Sequence, residues 1–122
     1  MDLSQALEAI IQIKKLNISK IYNCIRMDGS TFRKILNGVT RHPSLINMVK
    51  ICLGLHLNDI EAEELLHKAN YHLTEQSLFE RVVQRYLRTE YKFREIDEAL
   101  YELTGKGFDD YVRKSPVKKR SV

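Results

Sequence analysis

Apolar residues recur at steps of three and four along most of the chain, and this spacing constrains the fold more than any other feature of the sequence. Such spacing places the apolar side chains on one face of a helix. Strict alternation of apolar and polar residues, which would indicate a β-strand, is not found. The sequence therefore predicts an all-α chain. The first predicted helix carries its apolar stripe on Leu3, Ala6, Leu7, Ile10 and Ile13.

The second and third predicted helices, residues 18–26 and 30–37, are short and are separated by a turn around MDG. Ser19 is expected to N-cap the second helix, because its hydroxyl can accept a free backbone N–H there. Asp28 or Gly29 interrupts the helix, and Gly38 is expected to end the third in the left-handed conformation. The side chains expected to face inward are Ile21, Tyr22, Ile25, Phe32, Ile35 and Leu36.

Two further helices are predicted after the loop VTRHP. Pro43 suits the first turn of the fourth helix, where a missing backbone N–H is harmless. Asn58 and Glu61 match a capping box that opens the fifth helix. The apolar residues of these helices are Leu45, Met48, Val49, Cys52 and Leu53 in the fourth, and Ile60, Leu65, Leu66 and Ala69 in the fifth.

The C-terminal region is predicted to form a helical hairpin. Thr74 is expected to N-cap its first helix, and Gly105 to end its second. The apolar stripes are Leu78, Phe79, Val82, Val83, Tyr86 and Leu87 in the first helix, and Phe93, Ile96, Ala99, Leu100 and Leu103 in the second. The hairpin is expected to pack on the first five helices or on a partner subunit. The predicted domains are therefore residues 1–72, a hairpin of residues 73–106, and a mobile basic tail of residues 107–122.

Charge is distributed unevenly along the sequence. Residues 1–57 hold eight Lys/Arg against three Asp/Glu, whereas residues 58–110 hold seven against thirteen. The last residues, 111–122, hold five Lys/Arg and no acidic residue, and the net charge of the whole chain is +4. A basic N-terminal half and a basic tail suit a surface that binds phosphate groups.

No feature of the sequence indicates a membrane protein or an exported one. No apolar stretch approaches the roughly 20 residues that span a bilayer, and MDLSQALEAI lacks a basic region followed by an apolar one. We therefore expect a cytoplasmic protein that makes no membrane contact. In that compartment Cys24 and Cys52, which lie among apolar helical residues, are expected to be buried free thiols.

Enzymatic motifs are likewise not found. The sequence has no Gly-rich phosphate loop, nucleophile elbow or HExxH. The acidic clusters at residues 61–64 and 95–98 are expected to face water on helices. Cys52 and His56 share one helical face, but no paired CxxC or HxxxH completes a tetrahedral metal site. The chain is expected to have no catalytic activity, cofactor or metal.

The segment from Leu16 to about Leu66 resembles the phage-repressor-like (XRE) helix-turn-helix family. The resemblance depends on a pattern of small, polar, apolar and basic residues in a fixed order and spacing, followed by a Leu-rich helix and a capped one. The matching residues are Gly29, Ser30, Thr31, Phe32, Arg33, Lys34, Ile35, Asn37, Gly38, Arg41, Pro43 and Ser44. The resemblance implies a five-helix DNA-binding domain, to which the C-terminal hairpin is added as in members from mobile elements.

The chain differs from the usual family pattern at four positions. Ile18 stands where many members have Gln, and Tyr22 where a small Ala is common. Arg26 replaces a frequent turn glycine, and Leu36 a polar residue. Ile18 and Leu36 are alternatively interpreted as parts of a protein-binding surface.

The resemblance implies two sets of DNA contacts. The helix of residues 30–37 would lie in the major groove, and Gly29 would provide backbone and clearance there while three side chains contact base edges: Ser30, Arg33 and Lys34. The phosphate contacts would come from the start of the second helix and from the end of the third helix with its loop: Asn17, Ser19, Lys20, Asn37, Arg41 and His42. The positive end of the third helix dipole would also suit a phosphate.

The function predicted from this resemblance is that of a sequence-specific transcriptional regulator, a repressor or autoregulator of a bacterium or of a phage or other mobile element. It would bind an inverted-repeat operator in double-stranded DNA as a homodimer, in the bacterial nucleoid, with the hairpin as the dimer contact. The alternative is a phage-type inhibitor, such as an anti-CRISPR protein, or an antitoxin. Such a protein would bind a protein target through residues 73–106 and use the helix-turn-helix as a scaffold or for autoregulation.

Overall fold

The computed structural model describes residues 1–73, 78–87 and 93–107, and within these ranges every regular element is a helix. This confirms the predicted all-α class. The described helices are α1 (Leu3–Lys14), α2 (Ile18–Cys24), α3 (Gly29–Leu36), α4 (Leu45–Gly54), α5 (Asp59–Lys68), α6 (Leu78–Leu87) and α7 (Phe93–Thr104).

Side-chain caps begin the first five helices, and they are the residues Asp2, Asn17, Asp28, Ser44 and Asn58. The predicted capping box of Asn58 and Glu61 is confirmed. Two other predictions about helix starts are wrong. Asn17 caps α2, and Ser19 lies inside the helix, where its hydroxyl donates to Asn17 Oδ1 at 2.7 Å. Pro43 precedes the cap residue of α4 rather than entering the first turn.

The core forms around α4, which contacts α2, α5 and α7. All of its residues from Met48 to Gly54 are buried. Phe32 and Ile35 of α3 and Ile25 after α2 are also fully enclosed, as their spacing predicts. The predicted stripe of α1 ends earlier than expected, because the side chain of Ile13 is 80% exposed.

Helices α6 and α7 pack against each other, and they also contact the N-terminal helices. α6 contacts α5, and α7 contacts α4. Val83, Ile96 and Leu100 are fully buried in these contacts. Gly105 ends α7 with a φ of 79°, as predicted. The expected Thr74 cap and residues 108–122 of the basic tail lie outside the described residues.

The two cysteines differ in exposure. Both are free thiols, and Cys52 is buried within α4 as expected. Cys24 is exposed, so the prediction of a buried thiol there is wrong. Cys24 lies beside Asn23 on the exposed face of α2, whereas Ile21 of the same helix is buried. None of the described helices combines the length and the apolar character that crossing a membrane requires.

Candidate nucleic-acid interface

The eight residues of α3 divide into a buried face and an exposed face. The buried face carries Phe32 and Ile35 into the core. The exposed face carries polar side chains three and four residues apart, which places them side by side along the helix. These side chains are Ser30, Arg33 and Lys34, continued by Asn37 at the C-cap, and all four are exposed.

The connection between α2 and α3 is a turn of four residues, 25–28. Arg26 has a φ of 54°, which is the left-handed conformation that glycine adopts more readily than other residues. The backbone N–H of Met27 donates to the Tyr22 carbonyl at 2.9 Å, and the Met27 side chain is buried. The turn is therefore closed by a backbone hydrogen bond and anchored in the core.

Arg26 also connects this turn to the C-terminal hairpin. Its Nη1 lies 2.8 Å from Asp97 Oδ2 on α7. The Asp97 side chain is 13% exposed and that of Arg26 is 48% exposed, so only the acid is well shielded from water. This ion pair therefore joins the turn before α3 to α7.

The N-terminus of α3 is occupied by a carboxylate from its own chain. Asp28 Oδ2 accepts hydrogen bonds from the backbone N–H groups of Ser30 at 3.0 Å and Thr31 at 3.2 Å. These are the donors that a phosphate would need at a helix N-terminus. A phosphate at this helix end would therefore have to compete with the Asp28 carboxylate for the backbone N–H groups of Ser30 and Thr31.

Tyr22 holds the guanidinium group of Arg33. The Arg33 Cζ lies 5.3 Å from the centre of the Tyr22 ring, and Arg33 Nη2 lies 3.4 Å from Tyr22 Oη. Tyr22 in turn packs on the buried Phe32, with the ring centres 6.1 Å apart. The space for Tyr22 exists because residue 29 is glycine: a Cβ there would lie 2.9 Å from Tyr22 Cζ.

The C-terminal end of α3 is fixed from two sides. Gly38 has a φ of 81°, which confirms the predicted left-handed end. Ser4 Oγ donates to the Leu36 carbonyl at 2.6 Å and so connects α1 to this end. The following loop is held by Tyr71, whose hydroxyl donates to the Pro43 carbonyl at 2.8 Å. Arg41 and His42 are exposed on this loop.

The remaining predicted phosphate contacts lie at the start of α2. Asn17, Ser19 and Lys20 are all exposed there. Asn17 Oδ1 accepts hydrogen bonds from the Lys20 backbone N–H at 3.1 Å and from the Ser19 hydroxyl. The Asn17 oxygen is therefore used by the helix cap, and its amide nitrogen is the atom that could donate to a phosphate.

The structure thus places nine of the ten predicted site residues on the surface, and Gly29 is half-buried against Tyr22 and Arg33. They lie on the exposed face of α3, the first turn of α2 and the loop after α3. Ile18 and Leu36, interpreted alternatively as a protein-binding surface, are half-buried and pack against the core. Reasoning from the sequence missed Tyr22 and Asp28 as neighbours of the site, although the sequence already showed a large aromatic side chain at residue 22.

The described residues do not offer a metal site. No group of three or more His, Cys, Asp or Glu side chains among them is arranged to hold an ion. Burial raises the pKa of the Cys52 thiol to about 12, so that it stays protonated at neutral pH.

Comparison of the chain with family models, curated proteins and solved structures gave no match.

Proposed function

We propose that the protein binds double-stranded DNA in a sequence-specific manner, with α2 and α3 acting as a helix-turn-helix and α3 lying in the major groove. The observation that carries this proposal is Arg33, held by Tyr22 on an exposed helix face that also presents Ser30 and Lys34. An arginine fixed in this way has lost part of its rotamer freedom before it meets a base, which favours binding.

The side chains of α3 differ in what they can recognise. Arg33 can donate two hydrogen bonds to O6 and N7 of guanine, the most common specific contact in the major groove. Ser30, which lies one turn before Arg33, and Lys34 beside it can contact neighbouring base edges. Gly29 contributes backbone and clearance. Asp28 already occupies the backbone N–H groups of Ser30 and Thr31, so the proposal places the phosphate contacts elsewhere.

The phosphate contacts come from two groups of exposed side chains. Asn17, Ser19 and Lys20 lie at the start of α2, and the other group follows α3: Asn37, Arg41 and His42. Contacts of this kind set the position of a protein on the duplex, and their strength falls as salt is added.

One such helix covers little DNA, and useful affinity normally comes from two copies on half-sites about 34 Å apart. We therefore infer a homodimer on an inverted repeat, with α6 and α7 as the dimer contact. In this role the protein is a non-enzymatic repressor or autoregulator of a bacterium or of a mobile element, and acts in the bacterial cytoplasm at the nucleoid.

A gel-shift assay against the DNA upstream of the protein's own gene tests the proposal at two salt concentrations. The wild type should shift a discrete inverted repeat, and Arg33→Ala with Lys34→Ala should abolish discrimination while circular dichroism shows the fold unchanged. A wild type without sequence preference would contradict the proposal. Recovery of a nuclease or toxin in a pull-down would then favour the alternative of a protein-binding inhibitor or antitoxin.

A further inference from the structure

A cleft between α1 and α5 has large apolar side chains on its wall that are exposed to solvent. Its volume is about 1040 Å³. Its wall includes Ile13, which is 80% exposed, Ile60, which is 70% exposed, and Met1, which is 75% exposed. Ile13 belongs to the predicted apolar stripe of α1 and Ile60 to the apolar residues of α5, yet both side chains face solvent. Large apolar side chains gathered on one surface are typical of a site that binds another molecule.

The edge of this cleft is acidic although the whole chain is basic. Four acidic residues of α5 line it, against the two lysines Lys14 and Lys68. Both lysines already have contacts: Lys14 Nζ lies 3.9 Å from Glu61 Oε1, and Lys68 Nζ donates to the Met1 carbonyl at 2.9 Å. The acidic residues are Asp59, Glu61, Glu63 and Glu64.

We propose that this cleft binds an amphipathic helix of a partner protein, one that carries an apolar stripe flanked by Lys or Arg. Apolar side chains on such a helix fill a groove between two helices, with anchors at positions i, i+4 and i+7. The lining residues of α1 run from Ala6 to Lys14, which is about 12 Å along the helix axis. Three anchors of a partner helix cover nearly the same length, about 10 Å.

Charge decides among the possible occupants of the cleft. The acidic residues of α5 attract Lys and Arg side chains on the partner and repel acidic ones. A second copy joined through the same surface would place these acidic residues against themselves, because a two-fold contact pairs identical patches. The proposal does not depend on DNA binding, since none of the proposed DNA-contacting residues lines the cleft.

Binding of three fluorescent peptides tests the inference with the full-length protein. The first is a helical peptide of about 18 residues with leucines at helical spacing and lysines beside them. The second has the same composition in scrambled order. The third has the sequence of the first with Glu in place of Lys. Fluorescence anisotropy should show a Kd of about 10 µM for the first peptide, and binding at least about tenfold weaker for the other two.

Variants then locate the binding site. Ile13→Glu and Ile60→Glu should each weaken binding of the first peptide at least about tenfold, because a carboxylate would be buried against its apolar stripe. Both positions are exposed, so neither variant should change the circular dichroism spectrum. Val39→Glu is the matched control, because Val39 is 70% exposed outside the cleft. Glu64→Lys should weaken binding and reduce its salt dependence.

Three results would overturn the inference: no binding of the first peptide, equal binding of the scrambled one, or equal loss in Val39→Glu and Ile60→Glu. Sedimentation equilibrium supplies a fourth. If Ile60→Glu converts a wild-type dimer to a monomer, a second copy occupies the cleft and the partner helix is excluded. The gel-shift result for DNA is independent of all four, so failure of this proposal and failure of DNA binding remain distinguishable.

Discussion

The guanidinium group of Arg33 lies over the ring of Tyr22, with 5.3 Å between Cζ and the ring centre. Tyr22 itself lies against the buried Phe32, so a side chain of the core supports a ring at the surface, and the ring supports the arginine proposed to contact guanine. Gly29 on the facing helix supplies the space that the Tyr22 ring occupies, because a Cβ at residue 29 would lie 2.9 Å from Tyr22 Cζ. The Arg33 side chain on the proposed recognition face of α3 is therefore held by contacts within the protein itself.

Removal of the Tyr22 ring should weaken DNA binding without abolishing it. Without the ring, Arg33 would have to be ordered on binding at a cost of about 0.5–1.5 kcal/mol, so Tyr22→Leu should lower affinity for the operator about two- to twelvefold. Tyr22→Phe keeps the ring and loses only the 3.4 Å contact with the hydroxyl, and its affinity should change less than about twofold. Anisotropy titrations of both variants measure this, and equal affinities for Leu and Phe would contradict the role of the ring.

Gly29→Ala should destabilise the protein because of Tyr22. The added Cβ would lie 2.9 Å from Tyr22 Cζ and 3.1 Å from Arg33 Nη1, so the ring and the guanidinium would have to move. We expect a loss of about 1 kcal/mol in the free energy of unfolding, the lower range for overpacking.

A double-mutant cycle separates this clash from other effects of alanine. In a Tyr22→Ala background Gly29→Ala should cost nothing or even stabilise the protein, because the ring is gone, the exposed Arg33 side chain can move away, and alanine favours a helix more than glycine does. Urea denaturation of the four proteins gives the coupling energy, which should be about 1 kcal/mol. If the losses in the free energy of unfolding are additive, a clash with Tyr22 does not explain the effect of a Cβ at residue 29.

Arg26 should tolerate glycine better than alanine. Its φ of 54° is unfavourable for residues with a Cβ, by about 1–2 kcal/mol, whereas glycine adopts it freely. Both substitutions remove the ion pair with Asp97, so the difference between them reports the backbone alone. Arg26→Gly should be more stable than Arg26→Ala by about 1 kcal/mol in urea denaturation.

Asp97→Asn is the control for the ion pair itself. It leaves the turn unchanged and should cost less than about 1 kcal/mol, because the Arg26 side chain is 48% exposed and water screens the attraction. The loss should shrink in about 1 M salt. Equal stabilities of the Gly and Ala variants at residue 26 would contradict the account of this turn.

Stability should fall at alkaline pH because of Cys52. Burial raises the pKa of its thiol from 9.0 to about 12, so between these values the unfolded chain releases a proton that the folded chain keeps. The stabilising contribution is complete below about pH 9 and is lost as pH rises toward 12, at up to about 1.4 kcal/mol per pH unit. Denaturation of wild type and Cys52→Ala at about pH 8 and 10.5 should show the steeper fall in the wild type. An equal fall in the free energy of unfolding of both proteins between these pH values would contradict the role of Cys52.

Local patterns in the sequence predicted most of the helical framework. The capping box of Asn58 and Glu61 and the left-handed ends at Gly38 and Gly105 need only neighbouring residues, and all three predictions are confirmed. The sequence predicts Ser19 as the cap of α2, whereas Asn17 is the cap, because both residue types cap helices and they stand two positions apart. Nothing in periodicity alone distinguishes them.

Contacts between distant residues were not predictable in this way. Ile13 continues an apolar stripe, but whether a neighbouring helix covers it depends on where α5 lies. The pair of Arg26 and Asp97 joins residues 71 positions apart, and no local rule connects them. For the candidate site, helix spacing predicts which residues of α3 are exposed. The contact between Tyr22 and Arg33 depends on the path of the turn between α2 and α3, which helix spacing does not predict.

Selection of bound sequences from randomised double-stranded DNA tests the central claim most directly. The wild type should enrich one inverted repeat with a guanine in each half-site, and bind it at least about 10³-fold more tightly than random DNA at physiological salt. Arg33→Ala should lose preference for that guanine, at a cost of about 1–3 kcal/mol per half-site, and keep its non-specific binding. Enrichment of no sequence, or of the same sequence with equal affinity by Arg33→Ala, would contradict recognition of DNA by α3.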